Sequence, residues 1–458
     1  MKLNLLAIFT VLSTCLLLNC LAPFSPEETH GPLSFTDSIN SVSAKLGALM
    51  PDQKEYIFSP MSINVALIML FEGTGSSLRE KMSDTLHYYK NDQLRHLELK
   101  KFLQSYNIST DETKAKGLEI IKVKQEQSSH ISGGWQRNPK PEPFELVLAN
   151  SIWPSNSYTI KPNFTKTLKI WYNSSVTSLD YAGEQNSFQK INNWVSAKTN
   201  GKISKILQPL PSSTALVLVN AIYFKANWLY QFEKSKNYIH TFHNTALSTD
   251  ENPTGPKVTY MVSKHYWFNY FLDSENNLFV NIPYARGPKG NISMIVMVPP
   301  GRGSEGDFSM ANLDGVMSLL GLGDRQRSSG VKVELHFPKF KLETKLELTD
   351  ICRAMGLGHM FSPDAGDFSG ITYADDVAVG AIIHQAFIEV DEYGTEAAAA
   401  TAVVMMKMAM PVEHEPAVYT IIKIDRPFGF WIMDTDKKAV LFSGKVHTPT
   451  AATEGKSD

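Results

Sequence analysis

Cysteine is scarce in this chain. Only Cys15, Cys20 and Cys352 occur among 458 residues, and the first two fall inside an apolar N-terminal stretch. The folded body therefore owns one thiol and no internal disulfide, which excludes a cystine-stapled scaffold. Net charge is equally scarce. Forty-four Lys and Arg against 46 Asp and Glu leave a formal charge of −2, so no global basic field steers the chain onto nucleic acid or an anionic membrane. Catalytic signatures are missing too: the sequence has no Gly-x-Ser-x-Gly elbow and no Walker loop. Gly301-Arg302-Gly303-Ser304-Glu305-Gly306 has the GxGxxG spacing, but Pro299-Pro300 interrupts the junction between strand and glycines, so it reads as a turn. His240 and His243 lie three apart, and His414-Glu415 is half of a zinc-protease motif whose second His is missing, with Pro416 breaking any helix there. No metal, no cofactor and no enzyme is expected.

What is present is a globular composition, 43% hydrophobic and 20% charged, enough for a large core. Length alone suggests about three domains. Residues 1–22 carry one Lys, an apolar run over 5–18 and a short polar break, which reads as a secretory signal peptide cleaved near Cys20 to Ala22. A signal anchor is the rival reading, because the run approaches membrane-spanning length. No other stretch is apolar enough to span a bilayer. In a secreted chain, the Asn-x-Ser/Thr sites at Asn107, Asn163, Asn173 and Asn291 become glycan acceptors.

Ser59-Pro60 opens a helix, with Ser as N-cap and Ile63, Ala66, Leu67 and Leu70 on one face. Helical spacing recurs over 188–195 and 346–357. Strand-like runs cover 146–153, 215–224, 291–298, 331–337, 378–390, 428–433 and 439–446. Helices come early and strands late without βα alternation, which predicts an α+β fold. Residues 106–143 hold six Lys and Arg, a Gly-Gly pair and three prolines, and read as a solvated loop insertion. A glycosaminoglycan patch is the second reading, diluted by five interspersed acids. Cys352 falls in a helical pattern as a small core residue.

The unusual segment begins with a strand over 385–390 and continues Asp391-Glu392-Tyr393-Gly394-Thr395-Glu396-Ala397-Ala398-Ala399-Ala400-Thr401 into an apolar run ending at Pro411. Alanine content alone gives a helix. Gly394 at its head and the lack of any polar face oppose that. At period two, Thr395, Ala397, Ala399, Thr401, Val403 and Met405 share one face, all small or apolar, and Glu396 falls on the other. That face could enter a sheet without burying a charge.

These residues resemble the hinge of inhibitory serpins. The blocks Phe58-Ser59-Pro60-Met61-Ser62-Ile63, Asn193-Trp194, Asn200-Gly201-Lys202-Ile203, Leu218-Val219-Asn220-Ala221-Ile222-Tyr223-Phe224-Lys225, Phe337-Pro338-Lys339-Phe340, Asp425-Arg426-Pro427-Phe428 and Leu441-Phe442-Ser443-Gly444-Lys445-Val446 extend the resemblance over 33–449. It implies helices packed around a large central mixed sheet and two further sheets. It implies a signal peptide over 1–22 and one domain over 23–458, with a reactive-centre loop region over 392–425. The hinge comprises Glu392, Gly394, Thr395, Glu396, Ala397, Ala398, Ala399, Ala400 and Thr401. The implied activity is suicide inhibition of a serine protease, trapped as an acyl-enzyme when the cleaved loop enters the sheet. Family spacing puts the reactive bond at Met408-Ala409, for elastase-like or chymotrypsin-like targets. A frame shifted by one gives Lys407-Met408 and a trypsin-like target. Ser59, Ser62, Asn220 and His384 carry over as a latch beneath the opening sheet, and Trp228 as the residue at its top. The expected partner is a protease in covalent complex with a secreted monomer, without nucleic acid or membrane. The alternative is a non-inhibitory carrier, storage or chaperone serpin. Two departures stand out: Glu55 replaces a common Asn, and the stretch between Ala409 and Arg426 is long.

Overall fold

The computed structural model describes residues 34–50, 54–106, 145–184, 186–265, 268–285, 291–302, 316, 332–395 and 419–450. The signal peptide, Asn107, the hinge from Glu396 onward, Lys407, Met408, Ala409 and His414-Glu415 lie outside them.

The N-terminal helix α1 (Phe35–Ala48) starts on a capping box, in which Ser34 and Asp37 satisfy each other's backbone N–H groups. After the short strand β1 (Tyr56–Phe58) comes α2 (Pro60–Phe71), with Ser59 accepting from the Ser62 N–H as its cap. Every α2 residue is buried, so this helix is the central pillar rather than an amphipathic cover. Helices α3 (Ser76–Leu86), α4 (Asp92–Gln104), α5 (Pro162–Tyr172) and α6 (Ser187–Lys198) complete the longer helical elements among the described residues.

Three sheets carry the rest. The central one orders β11 (Phe340–Glu347), β12 (Ala381–Val390), β13 (Gly394–Thr395), β4 (Leu216–Asn227), β2 (Glu145–Pro154) and β3 (Ser175–Val176). A second orders β1, β16 (Ala439–Val446), β15 (Phe428–Asp434), β9 (Ile292–Val298), β8 (Leu278–Pro283) and β7 (Asn269–Leu272). The third holds β14 (Tyr419–Lys423), β10 (Lys332–Pro338), β6 (Lys257–His265) and β5 (Tyr238–Thr241). One face of the central sheet packs on α2 through Leu218, Ile222, Phe224, Ile382 and Ile388. The other face meets α6 through Val217, Val219, Ala221, Ile191 and Val195. Alternate residues of β4 and β12 thus serve two separate cores, which is why both strands read as continuous apolar runs.

The α+β reading and the seven strand-like runs hold, with ends shifted by at most three residues. The helical spacing over 346–357 is corrected. Leu346 and Glu347 belong to β11, where Leu346 pairs with His384, and the helical turns begin only at Thr349. Phe340 and Leu342 alternate with exposed lysine and glutamate in that strand, a period of two that the following leucines masked. Cys352 is buried, and burial pushes its thiol up to about 12. Tyr106 belongs to the folded body, not to the insertion that follows: it is buried, and its hydroxyl donates to Asp434 at 2.7 Å.

Candidate functional site

Strands β4 and β12 run parallel and pair directly from Val217↔Ala381 to Tyr223↔Phe387. Above that point they part, and β13 lies between them: Thr395 pairs with Val390 of β12 on one side and with Ala226 of β4 on the other. The first residues of the sequence-identified hinge therefore already occupy the central sheet as an antiparallel wedge.

The turn that feeds this wedge is built locally. Asp391 caps it, its carboxylate accepting from the N–H of Tyr393 at 2.8 Å and of Gly394 at 3.1 Å. Gly394 must lack a side chain, because a Cβ there would lie 2.0 Å from the Ala226 carbonyl oxygen. Trp228 then grips the turn from β4's end. Its backbone N–H donates to Tyr393 O at 2.8 Å and its indole N–H to Asp391 O at 2.9 Å. The Trp228 ring stacks on Tyr284, centroids 4.4 Å apart, and Tyr284 meets Thr395 hydroxyl to hydroxyl at 2.6 Å. Glu392, whose side chain is 4% exposed, pairs with Lys339 at 2.5 Å and accepts from Asn237. Burial opposes its charge, but the Lys339 and Asn237 hydrogen bonds hold its carboxyl below the ordinary range.

Lower down, the closed part of the β4–β12 seam carries a polar latch. His384 and Asn220 stand directly opposite in register. The Ser59 backbone N–H donates to His384 Nε2 at 3.1 Å. A backbone N–H can only donate, so Nε2 is bare and Nδ1 carries the proton that it gives to Asn220 Oδ1. The Asn220 amide in turn donates to Ser62 O at 3.0 Å, to the Ser62 hydroxyl and to Asn150 Oδ1. Ser59 Oγ donates to Leu441 O at 2.6 Å. Burial lowers the His384 pKa to about 3, in keeping with a neutral ring. Three adjacent strands and α2 are thus tied by one buried network across this seam.

The structure brings Ser59, Ser62, Asn220 and His384 into one hydrogen-bonded network, and Trp228 stands beside the turn that carries Gly394 and Thr395. Tyr284, Asn237 and Asn150 were not singled out from sequence and nothing in their local pattern marks them. Lys339 lies within the Phe337-Pro338-Lys339-Phe340 block, but nothing in that block's sequence announces its pairing with Glu392. Among the glycosylation candidates, Asn163 is exposed on the first turn of α5, and Asn173 is half-buried at its end with a left-handed φ of 50°. Asn291 is half-buried, and its amide donates to Asp436 at 2.9 Å. Elsewhere, His243 is buried against Ser248 at 2.8 Å, and Gly301-Arg302 forms a bend whose Arg302 pairs with Asp250 and Asp425. Glu55, the departure noted above, accepts from the Thr448 N–H at 2.5 Å.

A family model described as Serpin (serine protease inhibitor) matches residues 38–449. Human Serpin B4 is 30% identical over 408 residues, covering 87% of this chain and 94% of that protein. The Leukocyte elastase inhibitor of Xenopus laevis is 30% identical over 404 residues, covering 86% and 92%. The structure of human thyroxine-binding globulin complexed with its ligand superposes with a TM-score of 0.65 at 24% identity, over 91% of this chain and all of that one. The matched family model, the curated relatives and the shared architecture agree: this chain belongs to the serpin family.

Proposed function

We propose that the chain is an inhibitory serpin, secreted as a monomer, that traps serine proteases by inserting its hinge into the central sheet. Serpins in general are protease inhibitors rather than catalysts, and their partners are serine proteases. The observation that carries the inhibitory reading is the register of β13. Gly394 opposes Asn227 and Thr395 opposes Ala226 and Val390. Continuing that antiparallel count, Ala397 meets Phe224 and Ile388, Ala399 meets Ile222 and Ala386, and Thr401 meets Asn220 and His384. The β4 and β12 residues met in this way all face the α2 side of the sheet, so the inserting set needs to be small and uncharged, and it is. Glu396 takes the opposite face between Lys225 and the exposed Glu389.

Chemically, the protease serine attacks the Met408 carbonyl carbon and the Met408–Ala409 bond breaks. Ala409 leaves as an amine carrying the proton, and Met408 stays on the enzyme as an ester. Strand insertion then removes the ester from its hydrolytic geometry before water completes the cycle. Met408 suits elastase-like or chymotrypsin-like pockets. The one-residue shift to Lys407-Met408 suits a trypsin-like pocket with an acidic floor. Asn163, exposed on its helix, is the best placed of the glycan acceptors, and the basic residues of the insertion are the place to look for glycosaminoglycan binding.

Incubation with elastase, chymotrypsin and trypsin, then denaturing electrophoresis, tests the reading. A covalent complex and a released fragment beginning at Ala409 are expected; a fragment beginning at Met408 moves the target to the trypsin class. Clean cleavage without complex for all three would favour the carrier alternative.

A further inference from the structure

The first seated hinge residue is held by a side chain that no motif marks. Tyr284 follows β8, and its hydroxyl lies 2.6 Å from Thr395 Oγ1, with both residues buried. Its ring has little freedom. It stacks on Trp228 at an interplanar angle of 13° and meets Phe224 edge-on at 5.3 Å. Its N–H donates to Ile292 O at 3.0 Å, tying it to β9. Burial pushes the phenol well above its ordinary range, so the group stays neutral and can pair with another neutral hydroxyl. The phenol is therefore a fixed point beneath the spot where β4 and β12 first part.

We propose that Tyr284 is a positioning residue for strand insertion, its hydroxyl selecting Thr395 as the residue seated between Ala226 and Val390. The proposal rests on the inhibitory reading above. Its logic is register. A slip of one residue turns Glu396 toward the α2 core, and a slip of two puts Ala397 against Tyr284 and leaves the phenol buried without a partner. Of the hinge residues over 394–400, Thr395 alone presents a hydroxyl, so the pair distinguishes the correct start from its neighbours before the remaining strand commits.

A double-mutant cycle tests this. Tyr284→Phe and Thr395→Val each orphan the other hydroxyl, whereas Tyr284→Phe with Thr395→Val orphans neither. Each single variant is expected to raise the inhibitor consumed per trapped protease by about threefold to tenfold, with the rate of acylation unchanged. The double variant is expected to fall well below the product of the two effects, and Thr395→Ser, which keeps the hydroxyl, to follow wild type. A purely structural defect would not leave acylation untouched while shifting this partition. The second readout needs no protease: hydrogen exchange of the 391–395 backbone in the uncleaved chain should speed up in each single variant and recover in the double. If wild type traps no protease, the inhibitory reading fails and hydrogen exchange still decides the hydroxyl pair. Unchanged exchange and partition in Tyr284→Phe, or effects that multiply in the double variant, would overturn the proposal.

Discussion

His384 illustrates how much a single buried ring can make the fold depend on pH. Its Nε2 accepts from Ser59 and its Nδ1–H serves Asn220, an arrangement only the neutral imidazole can satisfy. Burial depresses its pKa from 6.5 to about 3. The unfolded chain therefore takes up a proton as pH falls through 6.5, while the folded chain does not until about 3. Stability contributed by the neutral ring is present above 6.5 and is lost progressively across that window. Between pH 6.5 and about 5 the loss is on the order of 2 kcal/mol. Urea midpoints should fall accordingly on acidification, and His384→Gln should flatten that dependence; an equal slope in the variant would refute the assignment. Glu392 and Lys339 offer a second residue-scale test, because their burial is unequal. Lys339→Ala strands a carboxylate whose side chain is only 4% exposed, while Glu392→Ala leaves an ammonium 31% exposed that can reach water. Removing one partner of a buried pair costs about 3–5 kcal/mol, and an exposed one far less. Lys339→Ala should thus lower the thermal midpoint more than Glu392→Ala, and the reverse order would contradict the geometry.

At the scale of the element, the register of β13 makes a claim about a residue six positions on. If insertion continues the pairing of Thr395, the side chain of Thr401 arrives between His384 and Asn220 and separates a bond they now share. A threonine hydroxyl can accept from His384 Nδ1–H and donate to Asn220 Oδ1, closing the network again around the new strand. Valine has the same shape and neither capacity. Thr401→Val should therefore leave the thermal midpoint of the uncleaved chain unchanged and lower that of the cleaved chain by a few degrees. Equal midpoints for the two cleaved forms would mean that the register is not continued. The α2 start was legible because Ser59-Pro60 carries its own capping signal, and the long runs of β4, β12, β15 and β16 because they bury both faces. Strands β5, β7 and β14 are short and hold exposed residues, and α3 and α4 present mostly polar surfaces, so neither period nor composition announced them. The latch was recognisable only as carried-over residues: Asn220 and His384 are 164 positions apart, and only the parallel pairing of β12 on β4 shows that they face each other. Tyr284, Asn150 and Asn237 matter through distant partners alone, which no local pattern reports.

For the molecule as a whole, the proposed mechanism makes the two halves of the β4–β12 seam a fold held short of its most stable form. The lower half is closed by direct pairing and by the His384–Asn220 latch; the upper half is wedged open by two residues and capped by Trp228. Among the described residues Cys352 is the only cysteine, so only non-covalent contacts there resist parting the strands, and a cleaved loop has a register waiting for it. An inserted strand from Ala397 to Val403 adds main-chain hydrogen bonds on both sides at about 0.5–1.5 kcal/mol each, and buries alanine and valine side chains in the existing α2 core. Insertion also splits the direct β4–β12 pairs from Val217↔Ala381 to Tyr223↔Phe387, so one of the two new ladders only replaces an existing one. With the apolar burial, the net gain is on the order of 10 kcal/mol before the cost of moving the latch. In a chain of this size that corresponds to a rise in thermal midpoint of about 10–20 °C. Under the proposed mechanism the uncleaved state persists through a kinetic barrier, the intact loop being unable to take up the register, rather than through an equilibrium preference. Limited proteolysis within 404–418, with both fragments kept together, followed by thermal unfolding of nicked and intact chains, measures the difference directly. The nicked chain should unfold at the higher temperature, and Gly394→Val, whose side chain collides with Ala226 O, should abolish the gain by blocking the entry turn. A nicked chain no more stable than the intact one would mean that the seam does not open, and the inhibitory mechanism would fall with it.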